Sequence, residues 1–137
     1  MSVEEEVVAL LEERGLTIAT AESCTGGMVS ARLVGVPGVS EVFMEGLVTY
    51  SNEAKVRLLG VREETLEAFG AVSRETAVQM AEGGCRRAGT DVCVSTTGLA
   101  GPGGGTEKKP VGLVYMACCV QGHTAAERYI FSGDRQR

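Results

Sequence analysis

The stretch TIATAESCTGG, Thr17–Gly27, decides how the chain is read. Its first half, Thr17 to Ala21, is small and β-branched, as suits a short buried strand. Its second half is a polar cluster, Glu22-Ser23-Cys24-Thr25, closed by Gly26 and Gly27. Thr25 or Gly26 then opens a helix through about Val34, where GVPG ends it. Ser23 therefore occupies a strand-to-helix corner. Such a corner exposes a hydroxyl, and the free N–H groups of a helix start can hold an oxyanion.

Working outward, Ser2 and Glu5 form a capping-box pattern for a helix Val3–Arg14 that Gly15 stops. Val42 to Tyr50 reads as a strand, with Gly46 marking a bulge or a close approach. Ser51 or Asn52 caps a short helix, NEAKVRLL, and REETLEAFG is another. Ser73 caps RETAVQMAEGGCRRAG, helical despite Gly83-Gly84. Asp91 to Ser95 is a second buried strand, followed by the glycine loop TTGLAGPGGGTEKKPVG. Gly112–Val120 and Thr124–Phe131 flank QGH as a hairpin. The expectation is one α/β layered domain, a mixed, mostly parallel sheet flanked by helices and closed by a C-terminal β-hairpin. If the two short strands are parallel neighbours, ESCTGG and TTGLAGPGGG meet at one sheet edge, where ligands collect.

Composition narrows the chemistry. The chain has 137 residues, 44% hydrophobic and 23% charged, with net charge −5. That length supports a core without disulfide staples. No basic stripe with interleaved aromatics argues for nucleic acid. No apolar run is long enough for a membrane span, and the start, MSVEEEVV, is acidic where a signal peptide is basic. Five cysteines without a CxxC point to reduced thiols and a cytoplasmic protein. With a single histidine, no metal site is expected.

A serine nucleophile needs a base. His123, the one imidazole, lies in the hairpin turn, so a Ser-His-Asp arrangement is not expected. Lys55, in TYSNEAK just after a strand, is the alternative. It must lose its charge near neutral pH through burial or nearby positive charge. Tyr50 could hydrogen-bond both the amine and the serine, and Glu22 could orient Lys55 or a substrate cation. A solvated, ion-paired Lys55 and a merely capping Ser23 or Thr25 are the plainer alternatives. Ser51 and Cys24 are rival nucleophiles, better suited to capping and packing. The glycine loop is no P-loop, yet its N–H groups can nest an anion, and Lys108 and Lys109 could add charge.

Taken together, TAESCTGG, GLVTYSNEAKVRLLGV, GAVSRETAVQMAEG and TTGLAGPGGGTEKKPVGLVY resemble the CinA C-terminal domain family, which includes the bacterial nicotinamide-nucleotide amidase. The resemblance runs from about Leu10 to Arg135. It implies a cofactor-free serine amidohydrolase acting on a small nucleotide, nicotinamide mononucleotide, to give nicotinate mononucleotide and ammonia. It further implies Ser23 as nucleophile, Lys55 as base and Tyr50 as assistant. Glu22, Thr25, Gly26, Gly27, Thr97, Gly98, Gly101, Gly103 and Gly104 are expected to hold substrate. The N–H groups of Thr25 to Gly27 would face the oxyanion and the Thr97–Gly105 loop the phosphate. A homo-oligomer is expected, as is a stand-alone domain lacking the last helix that members carry beyond GDR. The alternative function is a catalytically silent nucleotide-binding module.

Overall fold

The computed structural model describes residues 1–99, 101 and 103–132. Helix α1, Val3–Arg14, begins at the Ser2/Glu5 capping box and ends on Gly15 in the left-handed region. Strand β1, Ile18–Glu22, is buried along its whole length. Helix α2, Met28–Val34, starts later than expected because the chain spends Ser23 to Gly27 turning. Strand β2, Phe43–Val48, follows a short 3-10 turn. Helices α3, Asn52–Leu59, α4, Glu63–Phe69, and α5, Arg74–Ala88, come next. The Ser51 and Ser73 hydroxyls cap α3 and α5 as expected. Strand β3, Val92–Gly98, runs past the expected Ser95, and β4, Leu113–Val120, and β5, His123–Ile130, form the hairpin. Residues 133–137, on which the expectation of a missing last helix rests, lie outside the described residues, as do Ala100 and Pro102 in the glycine loop.

The sheet order is β2-β1-β3-β4-β5. Strands β2, β1 and β3 are parallel neighbours, and only β4 opposes the common direction. The chain moves from β1 to β2 on one side, then returns to β3 on the other. Between β1 and β3 the winding reverses, and the crevice outside their carboxyl ends is where such sheets place ligands.

Strand periodicity sorts the two faces. Ile18 packs with Val8, Leu11, Leu33 and Val36 beneath α1 and α2. Ala19 and Ala21 pack with Leu59, Met80 and Cys93 beneath α3 and α5. The glycine pair inside α5 exists because of this second layer. A Cβ on Gly83 would stand 1.8 Å from the Leu59 carbonyl oxygen, and one on Gly84 would stand 2.3 Å from the Cys93 sulfur. Gly46 likewise marks a close approach, 2.9 Å from its notional Cβ to Ser30 Oγ, while the bulge falls two residues earlier at Met44, where the β1–β2 register shifts between Ile18 and Ala19.

Candidate active site

The period that separates Ala21 from Glu22 also separates Glu22 from Ser23. Glu22 turns toward α2 and Ser23 toward α3. The Ser23 amide is tied to Thr96 O of β3 (3.0 Å), which fixes where its hydroxyl emerges. From the other side, α3 delivers Lys55. Its Nζ lies 2.9 Å from Ser23 Oγ, 3.0 Å from Thr49 O and 3.3 Å from Tyr50 O. Lys55 is 1% exposed and Ser23 7%.

Neither of the two ion pairs among the described residues, Arg32–Glu4 and Arg57–Glu53, involves Lys55. Burial drives its amine below the ordinary lysine range; the neighbouring Cys24 thiol pulls weakly the other way. Nζ donates to Ser23 Oγ and to the Thr49 and Tyr50 carbonyls. A neutral amine in this place would have a lone pair to turn to the serine hydroxyl, as a general base requires.

Ser23, Cys24, Tyr50 and Lys55 line a cavity of about 270 Å³ with Thr97, Gly98, Gly101 and Gly103 from the loop after β3. The two polar loops thus meet at one edge. Asn52, Ala71, Val72 and Leu99 complete the wall. Among the described residues Lys55 is its one charged lining residue.

Other expected residues serve differently. Tyr50 meets the amine through its main-chain carbonyl, and its side chain is 60% exposed at the cavity mouth. Glu22 is 1% exposed and does not line the cavity. Its Oε1 accepts from Thr25 Oγ1 (2.5 Å), Gly27 N (3.1 Å) and Val29 N (3.0 Å); its Oε2 accepts from Ser30 N (2.8 Å) and Ser30 Oγ (2.6 Å). Burial pushes the Glu22 carboxyl up. The Ser30 and Thr25 hydroxyls and the Ser30 and Val29 N–H groups outweigh it and hold the carboxyl below its ordinary value.

This carboxylate consumes the Gly27 N–H, and Ser23 O takes that of Gly26 (3.0 Å). Two of the three N–H groups expected at the oxyanion are therefore committed. Among the described residues no acceptor takes the Thr25 N–H. Thr97 Oγ1 donates to Ala71 O (2.7 Å), pinning the α4–α5 turn against the cavity. Gly104 does not line it. Lys109 Nζ is occupied by Phe69 O (2.6 Å), and Lys108 is exposed. Among the described residues no group of three or more His, Cys, Asp or Glu side chains is placed to hold a metal.

Sequence reading missed Thr49, whose buried backbone links the two halves. Its N–H donates to Glu22 O (2.7 Å), and its carbonyl accepts from Lys55. It also missed Ala71 and Val72. Their only signal is a very short connection between the end of α4 and the Ser73 cap.

A family model described as the CinA C-terminal domain matches residues 1–137. The chain belongs to that family. A competence-damage inducible protein of Clostridium acetobutylicum is 61% identical over 135 residues, covering 98% of this chain. A CinA-like protein of Kosmotoga olearia is 60% identical over 136 residues. The chain spans 33% of each of these relatives' length. Among solved structures, competence/damage inducible protein CihA from Agrobacterium tumefaciens superposes with TM-score 0.91 at 44% identity, over 94% of this chain and 79% of that one. ComA from Klebsiella pneumoniae gives 0.93 at 39%, over 97% and 83%. The α/β fold with its mixed five-stranded sheet is that of these CinA structures. No helix among the described residues is long and apolar enough to cross a membrane.

Proposed function

We propose that this CinA domain is a Ser-Lys amidohydrolase that converts nicotinamide mononucleotide to nicotinate mononucleotide and ammonia. The observation that carries the reading is the buried Lys55 amine, without an ion-pair partner among the described residues, 2.9 Å from Ser23 Oγ. Neutral Lys55 takes the Ser23 proton as Oγ attacks the carboxamide carbon. Collapse passes the proton from Lys55 to the amide nitrogen, and ammonia leaves. A water, giving a proton to Lys55, then attacks the Ser23 ester; the bond to Oγ breaks, Lys55 returns the proton to Oγ, and the carboxylate product leaves.

The cavity, about 270 Å³, is slightly smaller than most ligand pockets, which run from roughly 300 Å³ upward. It suits the pyridine carboxamide, with the sugar and phosphate directed outward. The phosphate then rests on N–H groups of the glycine loop, since Lys109 is engaged with Phe69.

Ammonia release from the mononucleotide and from its unphosphorylated riboside tests this. Wild-type protein should turn over the mononucleotide in preference, and Ser23→Ala should release none while remaining folded. Saturable binding without ammonia would favour a silent nucleotide-binding module.

A further inference from the structure

We propose that Glu22 is a positioning residue for Ser23, acting from the opposite face of β1 and never touching substrate. The proposal rests on Ser23 being the nucleophile. A buried carboxylate beside a nucleophile invites a role in proton transfer, but this one has no capacity left. Its two oxygens accept five hydrogen bonds, all from residues 25 to 30. Those bonds close the chain into a ring that begins immediately before Ser23 and returns through the first turn of α2.

The ring is anchored on both sides. Thr25 Oγ1 also meets Thr96 Oγ1 of β3 (2.8 Å), and Ser30 Oγ meets Thr20 Oγ1 of β1 (2.7 Å). Through its carbonyl, Glu22 holds the Thr49 N–H, and Thr49 O in turn holds Lys55 Nζ. One residue thus sets the turn that aims the hydroxyl and the strand end that aims the amine. The carboxylate acts on the Ser23 side; the link to Thr49 is made by the main-chain carbonyl, which a substitution at Glu22 leaves in place.

The requirement is for an acceptor at both oxygens. In Glu22→Gln the length is kept, but an NH₂ group replaces one oxygen. Either orientation then sets that donor against N–H donors, of Ser30 or of Gly27 and Val29. The turn must open to relieve the conflict, and Ser23 moves with it.

The test is the rate at which a small fluorophosphonate labels Ser23, followed by mass spectrometry of the labelled peptide. The Ser23 oxygen–phosphorus bond forms, the phosphorus–fluorine bond breaks, fluoride leaves, and Lys55 accepts the proton. Labelling is measured well below each variant's unfolding transition. Glu22→Gln should label more slowly by on the order of 10²-fold, the size expected of a misplacement near an ångström. Its kcat on nicotinamide mononucleotide should fall in parallel, with KM within about twofold and the pH midpoint unmoved. Ser30→Ala, which removes one hydroxyl from Oε2, should give a smaller slowing and carries the test if Glu22→Gln does not fold. Labelling at the wild-type rate in either folded variant overturns the role, whatever the change in stability. Wild-type protein that does not label removes the nucleophile and this role together. Wild-type protein that labels but releases no ammonia removes the substrate reading alone, and the labelling rates still decide Glu22.

Discussion

Lys55 concentrates the account at the scale of a single residue. It is a long cationic side chain 1% exposed, with two carbonyls and a hydroxyl as partners. Burial lowers its pKa, so the amine reaches its neutral, basic form at lower pH than a surface lysine. The kcat/KM for nicotinamide mononucleotide should therefore rise with pH through a midpoint below the ordinary lysine range, as a pH–rate profile can show. Lys55→Arg keeps the charge and cannot shed it, and should lose about 10²–10⁴-fold in kcat. The sequence already pointed at Ser23 and Lys55 through their motifs, but not at their contact. They are 32 positions apart, and the parallel pairing of β1 with β2, with α3 packed on α5, brings them together. Glu22 was misread for a definite reason. A carboxylate next to a nucleophile suggests shared chemistry, yet neighbours at a strand end point to opposite faces.

Among the elements, α5 decides how closely α3 can carry Lys55 to the sheet. Helix-interior glycine normally costs about 1 kcal/mol relative to alanine, so Gly83→Ala would stabilise an isolated helix. Here the new methyl would stand 1.8 Å from the Leu59 carbonyl oxygen at the end of α3. We expect a net loss of about 1–3 kcal/mol in a urea titration, the usual cost of overpacking, and a fall in activity as α3 shifts. The same region shows what local pattern can and cannot give. Ser2 with Glu5, Ser51 and Ser73 mark their helix starts because capping is local chemistry. The Gly83-Gly84 pair was legible only as an oddity, because its cause lies in residues from α3 and β3. The start of α2 was misplaced because its cap is not at the usual position. Gly27 offers no side chain, and Glu22, five residues earlier, supplies the acceptor.

For the whole molecule, the buried Glu22 ring links stability to pH. Its carboxyl is held below the ordinary range in the folded state, so the unfolded chain binds more protons in that window. The stabilisation is present at neutral pH and is lost as pH falls through the folded pKa. Urea unfolding across an acid series should show the gap between wild type and Glu22→Gln narrowing toward low pH. The sulfur chemistry points to a quiet interior. Burial pushes Cys93 up to about 12 and Cys85 up to about 11, leaving thiols that do not ionise readily. The layered fold was legible from alternating helices and short strands. The cavity was legible only as two loops that had to meet, since its far wall comes from the α4–α5 turn. Attack by Ser23 with Lys55 as its base is tested by mass spectrometry of enzyme quenched during turnover of nicotinamide mononucleotide. The account predicts the pyridine carboxylate as an ester on Ser23 in wild-type protein and its absence in Lys55→Arg. Steady ammonia release with Ser23 unmodified at every quench time, or undiminished turnover by Ser23→Ala, would contradict it.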